Sequence, residues 1–175
     1  MAEESGAAPR WQDALYDLLR HNNITQFAYV PDAGHGILID RSLADPGVRS
    51  VALTTEEEGV ALLAGADLGG ARGVLLMQSS GAGNCVNMLS LVKGGRFPML
   101  ILVSMRGDFG EGNPWQYPMG QAVEPVLGAM GLICLRVERP EEVIPTTAAA
   151  CTMVFQGGRA VAVLLTQKLL GAKAF

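Results

Sequence analysis

Apolar residues in this chain form short continuous runs that alternate with stretches of helical periodicity. Trp11, Leu15 and Leu19 recur at the spacing of one helical face, which predicts a first helix. The later runs are apolar at successive positions, which is typical of strands buried on both faces of a parallel sheet. Six such strands are predicted, at 26–30, 49–53, 73–78, 98–104, 132–137 and 160–166. The alternation predicts an α/β fold, a single three-layer α/β/α domain with a six-stranded parallel sheet.

Length and composition set the number of domains. The chain has 175 residues, of which 49% are hydrophobic and 17% charged, enough for one substantial core. We expect a disordered leader over 1–9, one domain over 10–170 and a tail over 171–175. Mean hydropathy is high at +0.26, yet no apolar run approaches the ~20 residues needed to cross a bilayer. The apolar excess indicates an oligomer interface rather than a membrane.

Charge and cysteine usage narrow the classes of partner. The net charge of −4 and the lack of a Lys/Arg cluster argue against nucleic acid, whose binding needs phosphate neutralisation. Cys85, Cys134 and Cys151 are odd in number, widely spaced and set among apolar residues, which indicates reduced core thiols rather than a disulfide scaffold or a metal site. The stretch 1–9 lacks the features of a secretory signal. We therefore expect a cytoplasmic protein with small-molecule and protein partners.

Three consecutive glutamates, Glu56, Glu57 and Glu58, stand where the second strand gives way to a helix predicted over 56–68. In an open parallel sheet, active sites form at this edge. Carboxylates are also common in the first turn of a helix, where they cap free amides and offset the macrodipole. Successive helical side chains point ~100° apart, so the three cannot share one environment. One or two of them face inward and are candidates for chemistry.

Two loops and a histidine follow strands at the same edge. The segment 78–84 is glycine-rich like a phosphate cradle, but it lacks the Lys-Ser/Thr of a P-loop and the spacing of a dinucleotide motif. A tight turn that packs against a cofactor or a subunit is the alternative. The loop 106–117 mixes charged and aromatic residues, which is consistent with a lid, an interface or a surface excursion. His35 follows the first strand and is expected to open toward the same crevice.

Five spaced motifs carry a resemblance to a known family. They are Val30-Pro31-Asp32, Thr55-Glu56-Glu57-Glu58-Gly59-Val60 with Ala64-Gly65, Met77-Gln78-Ser79-Ser80-Gly81-Ala82-Gly83-Asn84, Ser104-Met105-Arg106-Gly107-Asp108 and Pro118-Met119-Gly120. In this order, over about residues 11 to 168, the chain resembles the α subunit of sulfopyruvate decarboxylase and the N-terminal half of phosphonopyruvate decarboxylase. Both are thiamin-diphosphate enzymes, and the matching part is their pyrimidine-binding domain.

The resemblance implies the α subunit of a heteromeric thiamin-diphosphate-dependent 2-oxo acid decarboxylase for a small acidic substrate. In that family a glutamate at the start of this helix hydrogen-bonds N1′ of the cofactor's aminopyrimidine. Alignment on Gly65 places that glutamate at Glu56, and alignment on Ala64 places it at Glu57. The segment after the third strand packs near the same ring. The cofactor-binding candidates are therefore Glu56, Gln78, Ser79, Ser80, Gly81, Gly83 and Asn84.

Two departures from the family pattern affect the expected site. Relatives often carry a polar residue at the position of Ala33, so His35 is the candidate to supply that contact as a second catalytic residue. The family binds diphosphate and Mg²⁺ on a separate domain through Gly-Asp-Gly and a later Asn, and Asp108 lies in the wrong place for that motif. The resemblance thus implies a β subunit that holds diphosphate and Mg²⁺, with active sites at the α–β interface. The candidates for contact with substrate or partner are Ala33, Arg106, Asp108, Trp115 and Gln116.

Two other functions remain open at this point. The chain could belong to a carboligase or another 2-oxo acid lyase with the same cofactor, in which a second carbonyl compound is consumed. It could also be a non-catalytic, flavodoxin-like binding module whose glutamates are helix caps. No Cys/His metal spacing and no Gly-x-Ser-x-Gly elbow occurs in the sequence, so no self-sufficient active site is predicted.

Overall fold

The central feature of the fold is a six-stranded sheet in the order β2-β1-β3-β4-β6-β5, in which every neighbouring pair is parallel. The computed structural model describes residues 10–172. The strands are β1 (Ile24–Tyr29), β2 (Arg49–Ala52), β3 (Arg72–Gln78), β4 (Met99–Ser104), β5 (Ile133–Val137) and β6 (Ala160–Leu165). The prediction of an α/β fold with a six-stranded parallel sheet is confirmed. The predicted leader, 1–9, and the end of the predicted tail, 173–175, lie outside the described residues.

Helices cover both faces of this sheet. They are α1 (Trp11–His21), α2 (Gly36–Ala44), α3 (Glu56–Leu68), α4 (Gly81–Cys85), α5 (Leu89–Gly95), α6 (Tyr117–Ala129), α7 (Pro140–Phe155) and α8 (Gln167–Leu170). Helices α1, α2 and α7 pack together on one face, and α3 to α6 pack on the other. These are the three layers expected from alternating strands and helices.

The core is divided between the two faces of the sheet because successive strand residues point in opposite directions. On β3, Leu76 packs among the side chains of α1, α2 and α7, whereas Leu75 and Met77 pack on the α3 side. On β4, Leu102 packs on the same face as Leu76, and Ile101 packs on the α3 side. All five side chains are fully buried. The continuous apolar runs in the sequence are therefore explained by burial on both faces.

The structure differs from the sequence prediction at the glycine-rich segment. The sequence predicted a loop over 78–84 and one helix from about residue 85 to 92, whereas the chain becomes helical already at Gly81, in α4, and then bends before α5. Glycine has low helix propensity, which favoured the loop prediction. Packing of the short helix between α3 and α6 outweighs that preference.

The strand order creates a switch point between β1 and β3. From β1 the chain crosses to β2 on one side and then returns to β3 on the other side of β1. In open α/β sheets, ligands bind in the crevice outside the carboxyl ends of the two strands at such a point. Asp32 and Gln78 lie at the carboxyl ends of β1 and β3, and α3 begins close by.

Candidate functional site

Glu56 is the first residue of α3, and its side chain is turned inward so that the residue is only 7% exposed. Thr55 before it is extended, with φ −146° and ψ 154°, which directs the chain into the helix. Asn84 of α4 donates a hydrogen bond of 2.8 Å from Nδ2 to Oε2 of Glu56. Within residues 10–172, Oε1 receives no hydrogen bond. One carboxylate oxygen is thus held by Asn84, and Oε1 lies beside Gly81 with no hydrogen-bond donor among the described residues.

Gly81 allows α4 to lie against this carboxylate. A Cβ at position 81 would overlap the Glu56 carboxylate, so only glycine fits there without displacing it. Gly83 is different, because a Cβ at that position would meet Met119 Sδ at 3.4 Å, an ordinary contact. Of the two glycines, Gly81 sets the separation between the two helices at the site.

The three glutamates occupy three environments, as the helical geometry requires. Glu58 is exposed, and its Oε2 accepts the Thr54 N–H at 2.8 Å, so it acts as a helix cap. Glu57 is half-buried. Glu56 is the buried one and lies near Cys85, whose pKa is raised to about 12, first by burial and then by the charges of Glu56 and Glu57. Glu58 therefore fits the helix-cap interpretation, and Glu56 is the member of the run that turns inward.

A second carboxylate, Asp32, was missed as a candidate although it stands in one of the five motifs. Its Oδ2 accepts from Ser104 Oγ at 2.6 Å and from the Gly34 N–H at 2.9 Å, and its Oδ1 accepts from Gln78 Nε2 at 3.2 Å. Burial raises the pKa of Asp32, but these hydrogen bonds and the charge of His35 outweigh it and hold the pKa below its ordinary value. The sequence feature that could have identified Asp32 is the position of an acidic residue directly after a buried strand.

The remaining polar residues after β3 connect Asp32 with the Glu56 side of the site. Ser80 Oγ donates to Gln78 Oε1 at 2.9 Å, and Gln78 in turn donates to Asp32. Ser79 is fully buried, and its Oγ accepts the Arg106 N–H at 3.0 Å, which ties the ends of β3 and β4 together. Gln78 and Ser80 thus border the crevice, whereas Ser79 supports it from within.

His35 does not open toward the crevice as the sequence led us to expect. The residue is 1% exposed, and its Nε2 lies 3.2 Å from the Met77 carbonyl oxygen. A 3₁₀ turn over Ala33–His35 rolls the ring inward onto the sheet. Nδ1 has no hydrogen-bond partner in the described part of the chain, and burial holds the pKa of His35 below its ordinary value. The predicted catalytic role has no exposed surface through which to act.

A small cavity of about 170 Å³ lies beside Asp32 at the carboxyl ends of β1 and β4. Ala33 and Arg106, two of the residues predicted to contact substrate or partner, line it together. Ser104 and side chains from α1 and α8 complete its wall. The structure therefore brings Ala33 and Arg106 to one place and leaves Trp115 elsewhere.

The loop 106–117 is fixed by a buried ion pair. Arg106 pairs with Glu111 through Nε and Nη2, and the Glu111 side chain is completely buried. Gln167 of α8 donates from Nε2 to Glu111 Oε2 at 2.9 Å. The hydrogen bond from Arg106 lowers the pKa of Glu111 to about 2, against burial, which raises it. The loop is thus anchored from within to the last helix of the described chain.

The other predicted loop residues point in different directions. Asp108 faces Arg136, whose Nη2 lies 3.2 Å from Oδ2, and it accepts the Gln167 N–H at 3.2 Å. Trp115 is 85% exposed. Gln116 Oε1 is buried and finds no hydrogen-bond partner between residues 10 and 172. Asp108 is therefore hydrogen-bonded within the protein, and Trp115 is the most exposed large apolar side chain of the loop.

Two general properties of the described chain bear on ligands and location. Among residues 10–172, no group of three or more His, Cys, Asp or Glu side chains is arranged to hold a metal ion. No helix in that range has the length and apolar character needed to cross a membrane.

Comparisons with known proteins identify relatives that match this chain over most of its length. No protein-family model matches the chain. It is 34% identical over 152 residues to sulfopyruvate decarboxylase subunit alpha of Methanocaldococcus jannaschii, covering 86% of this chain and 90% of that protein. The subunit alpha of Methanococcus maripaludis is 32% identical over 154 residues, with 87% and 92% covered. Phosphonopyruvate decarboxylase of Streptomyces viridochromogenes is 34% identical over 130 residues, or 73% of this chain and 33% of that protein.

A solved structure supports the fold independently. The chain is similar to 2-oxoglutarate:ferredoxin oxidoreductase from Magnetococcus marinus with a TM-score of 0.75, covering 93% of this chain and 29% of that one. At 19% identity this likeness concerns the fold alone. The sequence relatives show the family as well as the fold, because their identity exceeds 30% over nine-tenths of their length. The chain belongs to the family of sulfopyruvate decarboxylase α subunits.

Proposed function

We propose that this chain is the α subunit of a heteromeric, thiamin-diphosphate-dependent 2-oxo acid decarboxylase. Its substrate is a small acidic 2-oxo acid such as 3-sulfopyruvate or 3-phosphonopyruvate. The observation that carries the proposal is the Glu56 carboxylate, which is buried at the start of α3 with Oε2 held by Asn84 and with no hydrogen-bond donor to Oε1 among residues 10–172. Family membership supports the reaction class.

The residues around Glu56 fit the aminopyrimidine part of thiamin diphosphate. A ring nitrogen needs a carboxyl group in a fixed position, which Glu56 offers through Oε1. A flat ring also needs a wall without bulky side chains, and exposed Gly83 of α4 offers one. Following the resemblance, we assign the diphosphate and Mg²⁺ to a β subunit. The catalytic centre would then form where the two subunits meet.

When bound, thiamin diphosphate supplies the electron sink that lets carbon dioxide leave a 2-oxo acid. The contribution of this chain is to hold and move one proton. Glu56 would exchange that proton with the ring nitrogen through Oε1, while Asn84 keeps the carboxylate in one orientation. Asp32 lies at the carboxyl end of β1, where three donors hold it as a carboxylate.

The test is reconstitution. The chain is mixed with the β subunit from the same genome, thiamin diphosphate and Mg²⁺, and a panel of 2-oxo acids is assayed for carbon dioxide and aldehyde. Turnover in the mixture, with none from either subunit alone, is the expected result and identifies the substrate. A hydroxyketone product would instead assign a carboligase. A folded complex that turns over none of the acids would overturn the proposal and favour a binding module.

The role of Glu56 is tested by a matched pair of variants. Glu56→Gln keeps the size of the side chain and removes the proton exchange, so kcat should fall by roughly 10²- to 10⁴-fold. Glu57→Gln removes the same charge one position later and should change kcat by less than about threefold. Circular dichroism establishes that both variants are folded. The reverse pattern would assign the function to Glu57.

A further inference from the structure

The most exposed large apolar side chain of the described chain is Trp115, at 85% exposure. It belongs to a group that we call the Trp115 patch, formed by Pro114, Trp115, Pro118 and Met119. With Asn113, these residues line an open groove of about 540 Å³. Large aromatic side chains that stand out from a surface are typical anchors of protein interfaces.

The backbone of the Trp115 patch is held in place by hydrogen bonds. Asn113 Oδ1 accepts the Trp115 N–H at 3.0 Å, and a proline stands on each side of this turn. The Tyr117 hydroxyl donates to the carbonyl oxygen of Glu111, the residue that is locked in the buried pair with Arg106. A side chain held on such a platform loses little conformational freedom on binding. A lid that opens and closes would instead require a backbone that is free to move.

The Trp115 patch adjoins the surface that contains Glu56. Met119 lies next to α4, with its Sδ 3.4 Å from the position that a Cβ on Gly83 would take. Gly83 and Asn84 are exposed on α4, and Asn84 binds Glu56. The patch and the carboxylate therefore flank the same short helix. A body seated over Gly83 and Asn84 would therefore adjoin Met119 of the patch.

We propose that Trp115 is the anchor by which this chain docks its β subunit, beside the Glu56 site. This inference rests on the proposed function, because the β subunit is the body that completes the cofactor site over Glu56. The anchor would insert into an apolar pocket of the β subunit, and the small exposed face of α4 would lie within the same interface. Loop 106–117 is on this view a docking element rather than a lid.

The first test compares two exposed apolar residues. Trp115→Ala should raise the Kd of the α–β complex by about 30-fold or more, as removal of an interface anchor does. Leu68→Ala is the control, because Leu68 is 78% exposed at the other end of α3 from Glu56 and should leave the Kd unchanged. Calorimetric titration of each variant with the β subunit measures both values. Equal Kd values for wild type and Trp115→Ala would overturn the docking role, as would a change in KM for the 2-oxo acid alone.

Fluorescence gives a second, direct measurement. The chain has two tryptophans, Trp11 and Trp115, so a Trp11→Phe background reports on Trp115 alone. Its emission should shift to shorter wavelength when the β subunit is added. The same shift on concentrating the chain without the β subunit would assign the patch to a second copy and overturn the proposal.

The two proposals can fail separately. Decarboxylation by the mixed subunits together with an unchanged Kd for Trp115→Ala would remove the docking role and leave the enzyme function intact. A complex that depends on Trp115 but turns over no 2-oxo acid would retain the docking role and remove the enzyme function. The absence of any complex with the β subunit would overturn both.

Discussion

Asn84 donates a 2.8 Å hydrogen bond to Glu56, which lies 28 positions earlier in the chain. This bond joins the first residue of α3 to the exposed face of α4. A carboxylate held on one oxygen keeps a fixed direction for the other, which proton exchange with a ligand requires. The geometry of the proposed site is thus a property of two helices together.

Loss of the Asn84 amide should therefore impair catalysis without unfolding the chain. Asn84→Ala removes a hydrogen bond to a charged group, and we expect roughly a 10-fold or greater fall in kcat of the reconstituted enzyme. Asn87→Ala, an exposed position one turn later, is the control and should retain wild-type turnover. Wild-type kcat in Asn84→Ala would show that Glu56 needs no such support.

The two glycines of α4 should respond in opposite ways to alanine. Gly81→Ala introduces a Cβ that overlaps the Glu56 carboxylate, so Tm should fall and turnover should be lost. Gly83→Ala makes only an ordinary contact with Met119, and alanine stabilises a helix by up to about 1 kcal/mol relative to glycine. Thermal unfolding of both variants tests this contrast. Equal Tm values would contradict the close approach of α4 to Glu56.

Acid should weaken the anchoring of loop 106–117. The pKa of Glu111 is about 2 in the folded chain and 4.5 as its reference value. A carboxyl group whose pKa is lowered on folding stabilises the protein above its unfolded pKa. The contribution of Glu111 is therefore complete above pH 4.5 and is lost as the pH falls from 4.5 toward about 2.

A pair of variants isolates this effect. Urea midpoints measured across that pH range should fall less steeply for Glu111→Gln than for the wild type, from a lower starting value at neutral pH. Glu138→Gln is the control, because Glu138 forms an exposed ion pair with Lys168, and exposed pairs contribute little. An unchanged pH slope in Glu111→Gln would rule out the buried pair as the cause.

The cysteines should resist alkylation in the native state. Burial raises the pKa of Cys85 to about 12, and of Cys134 and Cys151 to about 11 each. Since the thiolate is the reactive form, iodoacetamide at about pH 8 should label the folded chain slowly, with half-buried Cys134 first. Mass spectrometry of native and urea-unfolded samples measures the order. Rapid native labelling of Cys85 would contradict its burial.

The sequence predicted those features that follow from local periodicity. Helix α3 begins at Glu56 and ends at Leu68, as predicted, because acidic residues precede an apolar stretch that ends at a Gly pair. The six strands were predicted from continuous apolar runs, which burial on both faces requires. Helical geometry also predicted that one or two of the three glutamates face inward, whereas the burial of Glu56 depends on the packing of α4 against it.

What the sequence did not predict depends on contacts between distant elements. Gly81 looks like a loop residue by propensity, and its helical conformation arises only from packing between α3 and α6. His35 looks like a free polar side chain between two glycines, but the turn after β1 buries it beneath the crevice. Asp32 acquires its importance from Ser104, which lies 72 positions away. For Gly81 and His35 these contacts leave no local signal in the chain, and for Asp32 the only local signal is its place directly after a buried strand.

The close approach at Gly81 also restricts how this protein can change. Even the Cγ of Glu56 would collide with a Cβ on residue 81, so shortening the acidic side chain to aspartate would not make room for alanine. Substitutions at positions 56 and 81 are therefore not independent, because the residue at one position restricts which residues the other can accept. A redesign of the subunit that alters the acidic group must keep the glycine, or else move α4 as a whole.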